Sequence, residues 1–357
     1  MDAGPAADTP SRRPLRTFGL ALSAAVLFLA VWIPLHPSRP AQPTADVTTH
    51  LSVARHLVRG EGFLTDVAYP LSFAFDFARE LPQPLIHRQP GFAVLLTGPV
   101  AAAGMDPARS LAYARAMQMV ILGLTVLIGA AALLRRGLGV GIPAWLLLVG
   151  ANPLLAYAVD WIFVELACGL VLLALWIRGR DGDPGPLDGL LAGVLAMMRL
   201  DLFWVPLLWW GVGGAFRPGR WRRPVLALLV MAAVGAPWAV RNLALTGHPF
   251  FSLQGHAELV KDTRAWPGYD VYRQLEPQPL VQTFVADPVP VLRKAARGVE
   301  FFVRGLGAFA PLPLILVFGV GLILLLVPGR EFHPAKRERA GPLGHVVAGP
   351  GNRLSSE

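Results

Sequence analysis

The chain alternates between apolar runs of membrane length and short polar interruptions that carry most of its arginines. The runs fall at 17–35 and near 110–134, 140–158, 161–177, 187–199, 201–216, 224–240 and 306–327. A helix needs roughly 20 mostly apolar residues to cross a bilayer, so this pattern predicts an all-α polytopic membrane protein with about eight transmembrane helices. The first run is longer than a secretory h-region and ends in Trp32-Ile33-Pro34 rather than at a small-residue cleavage site, which makes it an uncleaved anchor.

Orientation follows from the basic residues, which concentrate in cytoplasmic loops. Arg12, Arg13 and Arg16 precede the first run and put the N-terminus inside. The next apolar piece, 92–105, contains Pro99 and is too short for a span, so it is expected to lie against the outer face. With that choice Arg135-Arg136, Arg178 and Arg180, the cluster from Arg217 to Arg223, and Arg330 to Arg339 all fall in the cytoplasm, as do both termini. The expected organisation is a cytoplasmic tail at 1–16, a transmembrane domain at 17–327 and a disordered cytoplasmic tail at 328–357. The domain carries outer loops at 36–109 and 241–305, the first long and containing juxtamembrane helices.

Two stretches break the pattern. Residues 187–198 are short for a straight span, and Arg199 and Asp201 follow at once, before 202–216 with Pro206. Two short helices meeting near the outer surface avoid placing Arg199 at the bilayer centre. Arg199 then either pairs with Asp201 or lines an electropositive cavity. The second stretch places Arg293, Lys294, Arg297 and Arg304 outside, among Leu292, Ala296, Val299 and Phe302-Val303. That spacing predicts a helix with separate basic and apolar faces, either an interfacial anchor or a contact for lipid phosphate.

Composition agrees with a lipid setting. Of 357 residues 54% are hydrophobic and only 15% charged, against roughly 25% charged in soluble domains. The net charge of +9 is spread over the loop clusters, which argues for membrane anchoring and against a nucleic-acid partner. Arginine far outnumbers lysine, which occurs only at Lys261, Lys294 and Lys336; together with the Ala, Pro and Gly content this fits a GC-rich bacterial genome. A lone Cys168 in an apolar run excludes an intramolecular disulfide framework and a thiolate metal cluster. No Gly-rich phosphate loop, HExxH, CxxC or GxSxG is present, so nucleotide hydrolysis, zinc proteolysis and serine hydrolysis lack support.

The candidate chemistry is a set of polar residues that one topology maps to the outer face: Asp46, His87, Arg88, Asp160, Glu165, Arg199, Asp201 and Arg241 with Asn242. His87 or Asp160 taken alone reads as a solvated loop charge. Glu165 stands within Trp161–Ala167, where an unpartnered carboxylate is costly, and this marks it as functional or paired.

Asp46 with His50, Ala54 and Gly60-Glu61-Gly62-Phe63 resembles the first-loop pattern of the GT-C superfamily of membrane glycosyltransferases, which includes protein O-mannosyltransferases and lipid A aminoarabinose transferases. The resemblance continues through His87-Arg88-Gln89-Pro90-Gly91, Asn152-Pro153 with Glu165, Gly189 and Gly193 with Arg199, and Pro237-Trp238-Ala239-Val240-Arg241-Asn242 with Gly247-His248-Pro249. Val47 stands where many relatives carry a second acid, and Leu200 where proline is common. The resemblance implies transfer of a sugar from a polyprenyl-phosphate donor to a hydroxyl of a lipid, glycan or protein. The site would face the exterior of a bacterial plasma membrane, with no organic cofactor. It casts Asp46 as the base, Arg199 and Arg241 as phosphate ligands, and Glu165 as the group that positions the sugar or an arginine. No metal set is evident from the scattered acids. A transporter or flippase-type binder of lipid-linked substrates, or a non-catalytic envelope subunit, stands as the alternative; the test between them is whether Asp46 shares one cavity with these partners.

Overall fold

The computed structural model describes residues 12–36, 43–150, 152–181, 183–215, 221–263, 267 and 285–309. Helices dominate these residues. In chain order they are α1 (Arg12–Leu35), α2 (Ala45–Val58), α3 (Gly91–Ala102), α4 (Pro107–Arg135), α5 (Ile142–Gly150), α6 (Pro153–Asp160), α7 (Val164–Asp181), α8 (Pro186–Met198), α9 (Trp204–Ala215), α10 (Arg222–Thr246), α11 (Leu253–Val260) and α12 (Pro288–Phe309). One antiparallel pair of two-residue strands, β1 (Leu64–Thr65) and β2 (Gln83–Pro84), closes the loop between α2 and α3, with Leu64 opposite Pro84.

Among the described residues three helices are long and apolar enough to cross a bilayer: α1 from Pro14, α4 and α10. Their outward residues, such as Leu27, Val120, Leu229 and Val240, are exposed hydrophobics, which suits a lipid surround and would be costly in water. The protein is thus a helical membrane protein. Helices α5 and α6 meet at 57° and together would make a fourth, broken span, at the position expected for 140–158.

The remaining expected spans are shorter or more polar than the run lengths suggested. Helix α7 has 18 residues, but Glu165, Arg178, Arg180 and Asp181 occupy its two ends. Helices α8 and α9 have 13 and 12 residues; at about 1.5 Å per residue each falls well short of a hydrocarbon core about 30 Å thick. They are separated by a 3-10 turn, Leu200–Phe203, with Arg199 in extended conformation at the end of α8. Helix α3 is likewise 12 residues and packs against α2, α4 and α8. The anticipated span at 306–327 lies outside the described residues beyond Phe309, where α12 ends, and the tail at 328–357 lies outside them entirely.

Local chemistry sets the helix ends that matter for the site. Thr44 caps α2 by accepting a hydrogen bond from the Val47 amide at 3.2 Å, which places Asp46 in the first turn. There the amide dipoles favour an anion. At the other end of α2, Gly60 adopts φ 75° and the chain reverses, the Glu61 amide bonding the His56 carbonyl and the Gly60 amide that of Leu57. Only glycine takes that left-handed position without strain. Asn152 and Pro153 start α6 as cap and first residue, with Asn152 Oδ1 accepting from the Leu154 amide at 3.0 Å.

Helices α8 and α10 make the most extensive helix contact among the described residues. At Gly193 a Cβ would come within 2.6 Å of Val234 Cβ, and at Gly189 it would collide with the Ala227 carbonyl. Two small residues four apart let the helix backbones approach, the usual means of membrane helix pairing. Gly91 does the same between α3 and the end of α8, where a Cβ would lie 2.6 Å from the Met197 oxygen. A core of Val47, Leu51, Phe92, Leu96, Ile162, Cys168, Ala192 and Leu195 therefore joins α2, α3, α7 and α8.

Candidate functional site

A half-open cavity of about 80 Å³ lies at the start of α2, lined by Asp46, Val47, His50, Arg88, Phe92, Ile162, Phe163, Val164 and Glu165. Residues from three separate stretches of chain meet here. Asp46 and His50 lie one helical turn apart on α2 and so share a face. Arg88 comes from the loop ahead of α3, and Glu165 from the first turn of α7.

Asp46 forms an ion pair with the Arg88 guanidinium through Nη2. The Arg88 Nε is buried and has no hydrogen-bond partner among the described residues. The same is true of His50 Nδ1. His50 packs edge-on against Phe92 with ring centroids 5.2 Å apart, and burial, aided by Arg88, lowers its pKa to about 3. It is therefore a neutral ring at physiological pH, holding one free polar atom in a cavity wall.

Glu165 pairs with Arg199, which also makes a two-pronged contact with Asp201, Nε to Oδ1 at 3.1 Å and Nη2 to Oδ2 at 2.8 Å. Both readings of Arg199 thus meet in part. It does pair with Asp201, and it reaches the cavity only through Glu165. With two carboxylates on one guanidinium, it has no surplus positive charge to offer a phosphate.

Arg241 is placed differently from the expectation. It lies over the Trp238 ring at 4.4 Å and donates to the carbonyls of Leu85 at 2.9 Å and Phe63 at 3.3 Å. Asn242, buried beside it, donates to the Phe251 carbonyl at 3.1 Å. This pair is a clasp that ties α10 to the loop between α2 and α3 and to the segment before α11, and it does not line the cavity. Asp160 also lies off the cavity: Arg115 donates to its backbone carbonyl at 3.3 Å and its carboxylate lies 3.9 Å from that guanidinium. His87 stacks on Tyr69 with centroids 3.4 Å apart, and burial, then Arg88 and His50, lower its pKa to about 3. Its carbonyl accepts from the Gln254 amide at 3.3 Å and the Ser252 hydroxyl at 3.2 Å, which fixes the chain just before Arg88.

Two features escaped the sequence reading. Ile162 sits at φ 54° in the α6–α7 turn while lining the cavity and being almost fully buried. A β-branched residue in the left-handed region is strained, and such strain gathers at functional sites; no side-chain pattern announces it. The other is His56, buried between Glu61 at 2.5 Å and Asp66 at 3.1 Å, with Ser52 donating to Asp66 at 3.0 Å. Burial would raise Asp66, but the bonds from His56 and Ser52 outweigh it and hold that carboxyl below its usual range. This cluster braces the α2–β1 turn. Among the described residues no group of His, Cys, Asp and Glu is arranged to hold a metal ion.

Comparison of the chain with protein-family models, with curated proteins and with solved structures gives no match.

Proposed function

We propose that the protein is a membrane glycosyltransferase that moves a sugar from a polyprenyl-phosphate donor to an acceptor hydroxyl at the outer face of the membrane. The observation that carries this reading is that Asp46 and Glu165, far apart in sequence, line one small cavity together with the cation of Arg88. The sequence resemblance suggests the reaction class, and the cavity geometry supports the roles given below.

In this reaction the acceptor oxygen attacks the anomeric carbon and its proton passes to the Asp46 carboxylate. The bond from that carbon to the phosphate oxygen breaks, and polyprenyl phosphate leaves with the electron pair. A phosphate leaving group needs a cation rather than a strong acid. Arg88 replaces Arg199 and Arg241 in that role, because it lines the cavity with Nε unused while Nη2 holds Asp46. Glu165, held by Arg199, faces the sugar. A binder or flippase is the second reading, favoured by the broken helix pair α5–α6 and the short α8 and α9.

The test is release of polyprenyl phosphate by the full chain in nanodiscs supplied with polyprenyl-phosphate sugars. Base catalysis contributes about 10²–10⁴-fold, so Asp46→Asn should lose turnover by that order while donor binding persists. Donor binding with no release by the parent chain would establish the binder instead. An Asp46→Asn protein that still transfers sugar would remove the mechanism.

A further inference from the structure

Helix α12 was expected to carry basic residues on one side and apolar residues on the other, and the described structure makes it a continuous helix of 22 residues. Val289, Leu292, Ala296, Val299 and Val303 recur at three- and four-residue spacing and form one stripe. Arg293, Arg297 and Arg304 flank that stripe along one edge, and Lys294 lies opposite it. The apolar stripe is uncovered: Val299 is 64% exposed, and Val289, Leu292 and Val303 are each more than half exposed. Phe301, one turn after Arg297 on the basic side, is 80% exposed.

The protein body holds the opposite side of this helix. Lys294 Nζ donates to the Lys261 carbonyl at the end of α11, and α12 also touches α6. Arg304 is bound by Glu300 one turn earlier at 2.5 Å. Attachment through polar groups, with the apolar stripe turned away, suits a helix lying at a water–lipid boundary rather than one waiting for a core. The same chain carries three bilayer-length helices, so a membrane surface is at hand. A stripe of five small and medium apolar side chains enters the acyl boundary, while arginines beside it sit at headgroup depth and pair with phosphate.

We infer that α12 docks in the plane of the membrane on anionic lipid, its valine and leucine stripe inserted and Arg293, Arg297 and Arg304 engaging lipid phosphates. This is independent of the catalytic proposal, because none of these residues lines the Asp46 cavity. A basic residue near an anionic surface strengthens association by about fivefold, so anionic lipid should hold the helix down in proportion to the arginines present.

The experiment uses the full chain with Cys168→Ala and one spin-labelled cysteine, Val299→Cys or Arg297→Cys, in nanodiscs of phosphatidylcholine with or without phosphatidylglycerol. Collision with oxygen and with a water-soluble nickel chelate reports depth. The Val299 site should be oxygen-accessible and chelate-shielded, the Arg297 site the reverse, and phosphatidylglycerol should deepen the Val299 site. Arg293→Glu, Arg297→Glu and Arg304→Glu together should abolish that lipid dependence at Val299, while the three lysine replacements should retain it and so separate charge from misfolding. Equal chelate access at both sites would overturn the inference. So would shielding of Val299 that is indifferent to lipid and accompanied by dipolar broadening between labels, because a second copy of the chain would then cover the stripe.

Discussion

At the residue scale the site turns on how each charge is already engaged. Arg88 spends one nitrogen on Asp46 and keeps Nε unpartnered in the cavity wall. Lysine in its place would keep the charge but lose the fork, so Arg88→Lys should raise the KM for the donor more than that for the acceptor in steady-state assays. The two buried histidines yield a pH prediction. His50 and His87 have pKa values lowered from 6.5 to about 3, so unfolding releases rings that bind protons throughout that interval. The unfolded state then holds more protons, and stability rises with pH across the interval. Their stabilising contribution is complete above about pH 6.5 and declines steadily as the pH falls toward 3. Thermal melting in detergent should therefore drop between pH 7 and pH 4, and His50→Gln should flatten that slope. An unchanged slope would contradict the neutral assignment of His50.

At the element scale, glycines decide which helices can touch. Gly189 and Gly193 permit the crossing of α8 on α10, and Gly91 permits that of α3 on α8. The first crossing holds the end of α8, where Arg199 engages Glu165. Gly189→Val should force the helices apart, costing about 1–3 kcal/mol as an overpacking change. It should also lower activity by displacing Arg199, read as a lower melting temperature with a parallel loss of turnover. Gly235 on α10 meets nothing within 4 Å of a built Cβ, so Gly235→Ala should be close to neutral and serves as the control.

At the scale of the whole molecule, the expectation that α3 does not cross and the expected parity of the spans stand or fall together. Phe73 lies in the first loop and Val140 between α4 and α5, and both are exposed. With Cys168→Ala as background, Phe73→Cys should react with an impermeant thiol reagent from outside intact cells, and Val140→Cys only after permeabilisation. External labelling of Val140→Cys would invert the topology and move the Asp46 cavity to the cytoplasmic side.

The amino-acid sequence alone determined that the chain is helical and lives in a membrane, because run length and charge spacing are local properties that a bilayer reads directly. It also singled out Glu165, because a carboxylate is costly within an apolar run, and pointed to Asp46, His50 and Arg88 through the motif resemblance of the first loop. What it left undecided was pairing. Arg199 and Arg241 were equal candidates for a phosphate until tertiary packing set Arg199 between Glu165 and Asp201, and Arg241 against Trp238 and two loop carbonyls. Arg88, one of several loop charges in the sequence, became the cavity's cation because Gly91 lets its loop settle on the end of α8. The strain at Ile162 was equally hidden, since a positive φ in a β-branched residue is imposed by its surroundings and leaves no mark in composition or periodicity. Charge identity is written residue by residue; which charges neutralise one another is a property of the fold.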